Sequence, residues 1–252
     1  MAEWGRLLSN FGVVYINDFN NKVSIPTFSE YNPDIKSILE CDYYKNIESS
    51  TLDSKLKKEF EIKAKELDKV YKKIEKDLKD KDFYDVFICT KISLRTKKYP
   101  DIEGYTRDYK LANEIYDELI RRGYKVFYSE RCCQGIEYDS QILSALVKSK
   151  KMVVIATCKD YLESPWVQSE WRRWINFIDC EDQDGNPLKE RNSIMLCLPN
   201  YEVNSFDLPR IIRKKKIQYF TSQLSLLNLF KEVKKEAKKN IETVPIQEKK
   251  DN

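Results

Sequence analysis

Between Tyr84 and Trp174 the hydrophobic period alternates between that of a buried strand and that of an amphipathic helix, which leaves the chain few folds to adopt. YDVFICT at 84–90 is a nearly unbroken apolar strand, followed by a polar stretch that contains Pro100 and Gly104. Leu111, Ile115, Leu119 and Ile120 then share one face of a helix over about 107–122, and Gly123 stands where a helix C′ glycine belongs. YKVFY at 124–128 is a second strand. The loop SERCCQGIE leads to a helix carrying Ile142, Leu143, Ala145, Leu146 and Val147, and MVVIAT at 152–157 is a third apolar run. SIMLCL at 193–198 and IQYF at 217–220 supply a fourth and a fifth. Strands separated by helices of this length call for right-handed crossovers and a parallel sheet covered on both faces.

At 252 residues the chain can form one such domain of about 100–200 residues and a smaller extension. From Thr51 to Leu78 apolar residues recur every three or four positions among Lys and Glu, which predicts an amphipathic helix packed on the domain that follows or used in a coiled-coil contact. Before it, FGVVYIND and KVSIPTFSEYNP suggest a β-like turn region, with a short helix near IKSILE. The expected organisation is an N-terminal, mainly helical extension over 1–82, a domain over 83–235 and a Lys-rich tail over 236–252.

Composition removes several classes of function. A charged share of 34% with a net charge of only +4 disfavours a nucleic-acid footprint. No run approaches the roughly 18–20 apolar residues of a membrane helix, and MAEWGRLLSN lacks a secretory pattern, so a cytoplasmic protein without a membrane partner is expected. The chain has no histidine, which excludes His general bases and His-containing triads and disfavours a metal site. The seven cysteines form no CxxC pair and read as reduced thiols, several of them in the core. Chemistry is left to carboxylates, thiols, hydroxyls and lysines.

An open parallel sheet binds ligands beyond the carboxyl ends of its strands, here the loops after Thr90, Tyr128 and Thr157. Neither GxGxxG nor GxxxxGK[ST] occurs, so phosphates would have to be held by lysines, arginines and helix N-termini. A phosphoacceptor would want an acidic pair at the end of the first strand, but that strand ends in Cys89-Thr90-Lys91.

Five blocks in order resemble Toll/interleukin-1 receptor (TIR) domains, in particular their bacterial branch: YDVFICTK, GYTRD before LANEIYDELIRRGYKVFYS, YDSQILSAL, KMVVIAT and YLESPWVQSEWRRW. The resemblance implies a flavodoxin-like five-stranded parallel sheet and, for many members, cleavage of the nicotinamide–ribose bond of NAD+, with NAD+ as substrate and no further cofactor. The leaving group there is already a cationic pyridinium, so a carboxylate that stabilises the developing oxocarbenium charge supplies most of the chemistry. The alternative is an interaction module that acts by TIR–TIR self-association or by recruiting a TIR partner.

Family members place a glutamate at the start of the helix after the second strand, and Asp139 stands at that position here. Aspartate keeps the charge but falls short by about 1.5 Å, one C–C bond. Asp139 is thus the candidate catalytic carboxylate, Glu137 its candidate substitute, and a helix N-terminal acid facing the macrodipole the plain alternative. Relatives often carry an aromatic residue where this chain has Thr90, so Phe87, Tyr99 and Tyr105 are the candidates for ring stacking, with a core role the plain reading of Phe87. Lys91, Arg107 and Arg131 are candidate diphosphate contacts. Trp171 and Trp174 share a helix face, which would turn Arg172 and Arg173 to solvent, while the loop 129–137 and the Trp166 region are where a neighbouring domain would complete the site.

Overall fold

The computed structural model describes residues 2–18, 23–28, 37–79, 84–95, 101–133, 138–181, 185, 187–199 and 208–231. Helix α1 (Ala2–Asn10) is followed by the antiparallel hairpin β1 (Val13–Asp18) and β2 (Val23–Phe28), then by α2 (Asp42–Ser49) and the long α3 (Ser54–Lys79). The helix expected near IKSILE is one 3-10 turn, Ile38–Glu40. It is tied to α3 by the buried carboxylate of Asp68, which accepts from the Ser37 hydroxyl at 2.7 Å and the Ile38 amide at 2.8 Å.

The domain follows as β3 (Tyr84–Thr90), α4 (Arg107–Arg121), β4 (Val126–Tyr128), α5 (Ser129–Cys132), α6 (Tyr138–Lys148), β5 (Ser149–Ile155), α7 (Lys159–Leu162), α8 (Pro165–Ile178), β6 (Ile194–Cys197), α9 (Arg210–Lys214) and β7 (Gln218–Phe220). Residues 223–231 form a last helix. All neighbouring strands of the five-stranded sheet are parallel, in the order β4-β3-β5-β6-β7. This is the flavodoxin-like order, and it reverses direction between β3 and β5. The strands expected at 124–128 and 152–157 are realised as Val126–Tyr128 and Ser149–Ile155.

The period of two along each strand splits the core into two layers. Phe87, Cys89, Met152, Val154 and Leu196 face α6 and α8, whereas Val86, Ile88, Val153, Ile155 and Met195 face α4 and the helix at 223–231. The first layer continues without a break into the extension: Trp4 stacks on Phe60 at 5.0 Å, and Phe11 and Phe28 both meet Tyr71 of α3. Helix α3 lies along α6, so the amphipathic face predicted at 51–78 is used for intramolecular packing.

Trp171 and Trp174 are fully buried, with indole N–H groups donating to the Leu162 carbonyl at 2.9 Å and the Ser193 hydroxyl at 2.8 Å. Arg173 corrects the expectation that it faces solvent: it is 4% exposed, and its Nε donates to the Phe28 carbonyl of β2. The docked hairpin gives the guanidinium a partner that helix periodicity alone did not reveal. Of the seven cysteines only Cys89 and Cys197 are buried and none is in a disulfide, so the core role holds for those two alone. The tail beyond 231 lies outside the described residues.

Candidate functional site

The strand order places the ligand-binding crevice of such a sheet at the carboxyl ends of β3 and β5. Thr90 closes β3 opposite Ile155 and donates its hydroxyl to the Ile155 carbonyl at 3.2 Å. Beyond β3, residues 92–94 are bonded to residues 104–106: Leu94 N–H donates to Gly104 O at 3.1 Å and Thr106 N–H to Ile92 O at 2.9 Å. Gly104 has φ of +120°, and an added Cβ would stand 3.2 Å from Leu94 Cδ1, so a side chain is disfavoured there by backbone and by space.

Thr106 starts α4. Its hydroxyl accepts the Tyr109 amide at 3.1 Å, a helix N-cap, and donates to the Lys91 carbonyl. Two residues on, Asp108 is fully buried, and both of its oxygens accept the Thr157 amide at 3.1 Å. One carboxylate therefore joins the α4 N-terminus to the loop after β5, across the point where the strand order reverses. Burial pushes its pKa up, against the Thr157 hydroxyl and amide and the Arg107 charge, which hold it down.

Four sequence-predicted residues meet at this end of the sheet. Thr90 is half-buried, and Lys91 donates its ammonium to the Arg95 carbonyl at 2.9 Å, with its pKa lowered by burial. Arg107 is exposed on the first turn of α4. Tyr105 is 59% exposed and stacked on Tyr109 with centroids 4.3 Å apart, an aromatic surface open to solvent beside the crevice.

Others are placed elsewhere. Phe87 is 1% exposed and stacks on Phe127 at 5.2 Å, so its ring belongs to the core and offers no face to a ligand. Arg131, on α5, turns to the flank of α4, where its Nε donates to Asn113 Oδ1 at 2.7 Å and its guanidinium lies 5.8 Å from the Tyr116 ring centre. Trp166 is half-buried at the second position of α8. Asp139 is the second residue of α6, on its first turn; Glu137 and Tyr99 lie outside the described residues.

Two buried polar groups escaped the sequence reading. Asp108 carried a signal, an acid two residues after a Thr N-cap, but its burial did not show. Glu170, on the inner side of α8, is pushed up to about 7 by burial, with the Cys89 thiol and the Arg173 charge opposing the rise. Neighbouring Cys89 donates to Val167 O at 3.7 Å, and burial next to Glu170 raises its pKa well above that of a free thiol. Among the described residues no cluster of three or more His, Cys, Asp or Glu side chains could hold a metal ion, and no helix is long and apolar enough to cross a membrane.

Residues 104–221 match the family model described as TIR domain. That span omits β3, which the topology nevertheless puts between β4 and β5 in the same sheet. Among solved structures, a metazoan TIR-STING receptor from C. gigas, in complex with 2′,3′-cGAMP, is similar at 17% identity with a TM-score of 0.38, over 54% of this chain and 34% of that one. This chain thus matches about a third of that receptor's length. No curated protein matches.

Proposed function

Since this chain is a TIR-domain protein, we propose that it cleaves the nicotinamide–ribose bond of NAD+, with Asp139 as the carboxylate that meets the ribose. What supports this reading is the start of α6, which follows β4 in the chain and bears an acid on its first turn, together with Thr90, Lys91 and Arg107 at the carboxyl end of β3 and the start of α4. In the proposed reaction the C1′–N bond breaks, its electron pair leaves with neutral nicotinamide, and a water oxygen bonds to C1′, losing its proton to solvent or to the carboxylate. A negative charge held close to the ribose is stabilising only while C1′ is electron-deficient, so its effect falls on the transition state. Arg107 and Lys91 would hold the diphosphate, and the Tyr105–Tyr109 stack offers a face for an aromatic ring.

Nicotinamide release by the full chain is the test, with Asp139→Ala as the comparison. The proposal expects release by the wild type and loss of at least about a hundredfold in the variant. Equal release, or none from either protein even when crowded, would leave the second function: a module that works by TIR–TIR contact. That alternative is favoured by the Asp108 bridge and the Thr90 hydroxyl bond, which tie up polar groups at the mouth of the crevice. Arg107→Ala and Lys91→Ala should raise KM for NAD+ more than they lower kcat, because both groups bind the diphosphate equally in ground and transition states.

A further inference from the structure

Cys132 and Cys133 are neighbouring thiols at the end of α5, both half-buried, whereas Cys89 and Cys197 are shut in the core. Cysteines in such places commonly serve only as small apolar side chains. Here the Cys132 sulfur stands in for a missing strand. β4 is an outer strand of the sheet. Its Lys125 carbonyl accepts from the Asp85 and Val86 amides of β3, so the backbone groups of Val126 and Tyr128 point the other way. Both meet Cys132: Tyr128 N–H donates to Sγ at 3.5 Å, and Sγ–H donates to Val126 O at 3.7 Å. The Tyr116 hydroxyl of α4, its pKa raised by burial and then by this thiol, bonds to the same sulfur.

We propose that Cys132 and Cys133 form a reversible redox site: a hydroperoxide joins them in a disulfide, which takes the cap off the outer edge of β4. The proposal does not depend on NAD+ cleavage. One thiolate attacks the peroxide; an S–O bond forms, the O–O bond breaks, and an alcohol or water leaves. The other thiol attacks the sulfenic sulfur; the S–S bond forms, the S–O bond breaks, and water leaves with the thiol proton. The two sulfurs together lose two electrons, which the peroxide gains. Because the second thiol is on the next residue, this step is intramolecular.

The product has no S–H left for Val126 O. Successive side chains point apart, so joining the two sulfurs also turns Cys132 Sγ away from Tyr128 N–H. On its other side α5 stays fastened to α4, where Arg131 Nε donates to Asn113 Oδ1 at 2.7 Å. Oxidation therefore loosens one of two fastenings and leaves the fold intact. Since α5 lies between β4 and α6 in the chain, the anchor it loosens is the one that precedes the Asp139 helix. Reversal is built in: neighbouring Cα atoms are about 3.8 Å apart, short of the roughly 4.4–6.8 Å usual for a disulfide. The bond is strained, and a strained disulfide is readily reduced by a dithiol.

Treating the full chain with hydrogen peroxide and mapping it by mass spectrometry tests the site. The peptide holding Cys132 and Cys133 should lose two hydrogens and regain them in dithiothreitol. Exchange of the Tyr128 amide, followed by NMR, should quicken at least about tenfold on oxidation. Cys133→Ser should show no such loss of hydrogens, and before oxidation its Tyr128 amide should exchange as slowly as in the wild type. Cys132→Ala should exchange fast with or without peroxide, while Cys132→Ser, which keeps a donor and an acceptor, should stay slower. Oxygen added to the pair without loss of hydrogens, a disulfide from either residue to another cysteine or a second copy, or unchanged Tyr128 exchange in the oxidised protein would each overturn the proposal.

Discussion

Arg173 of α8 donates through Nε to the carbonyl of Phe28, 145 positions earlier in the chain, and so fastens the N-terminal hairpin to the helix that packs on the sheet. A guanidinium at 4% exposure needs compensation. It comes from that carbonyl and from Glu170 one turn before, whose carboxylate feels the Arg173 charge. Arg173→Met removes the donor and leaves Glu170 buried without its counter-charge. A loss of about 3 kcal/mol in urea unfolding is expected. Glu170→Gln combined with Arg173→Met should recover part of it, since the second change removes the stranded charge.

Glu170 and Lys189 give the stability curve a minimum near neutral pH. Glu170 rises from 4.5 in the unfolded chain to about 7, so the folded form holds its proton longer; the resulting stability is full below 4.5 and lost as pH climbs to about 7. Lys189 falls from 10.5 to about 7 through burial, so its contribution is full above 10.5 and lost as pH drops to about 7. A neutral amine still has two hydrogens for the Val147 and Ser149 carbonyls, so deprotonation costs no bond. Melting temperatures measured from pH 4.5 to 10 should dip near 7, with Glu170→Gln flattening the acid arm and Lys189→Met the alkaline one. A wild-type curve that only rises across that range would contradict the Glu170 assignment, and one that only falls the Lys189 assignment.

Asp108→Ala should loosen the crevice. It strips the Thr157 amide of its acceptor and unties α4 from the loop after β5, at an expected cost of about 2 kcal/mol. Asp108→Asn keeps an acceptor oxygen and should cost less. Hydrogen exchange at the Thr157 amide separates the two: fast in the alanine variant, protected in the asparagine one. Exchange unchanged in both would show that the bridge does not hold the loop.

The alternation of periods made the sheet legible because a parallel strand buried on both faces has almost no polar residues, as in YDVFICT and MVVIAT. Gly123, with φ of +80°, marked the end of α4 to the residue. What could not be read was which partner a buried polar side chain would find across the chain. Arg173 next to Trp174 looked like solvent-facing charge because its acceptor is a backbone carbonyl of a hairpin far away in sequence. Phe87 left a core role and a stacking role open, since an aromatic residue in a strand looks the same whether its neighbour is Phe127 or a ligand. At the crevice the geometry is local: the Thr106 cap fixes where Arg107 and Asp108 sit.

Asp139→Glu decides whether the acid on the first turn of α6 is chemical or merely electrostatic support for its helix. If Asp139 meets the ribose, it does so from about 1.5 Å further back than a glutamate would. Misplacement by about 1 Å can cost on the order of a hundredfold in rate. The longer side chain should therefore raise kcat for nicotinamide release by ten- to a hundredfold, with stability changed by less than about 0.5 kcal/mol. If Asp139 only offsets the positive end of the helix dipole, glutamate serves equally well and the rate does not move, while Asp139→Asn lowers stability by about 0.3–1 kcal/mol. Nicotinamide release and melting temperature measured on wild type, Asp139→Glu and Asp139→Asn distinguish the two, because the catalytic role changes the first and the dipole role only the second.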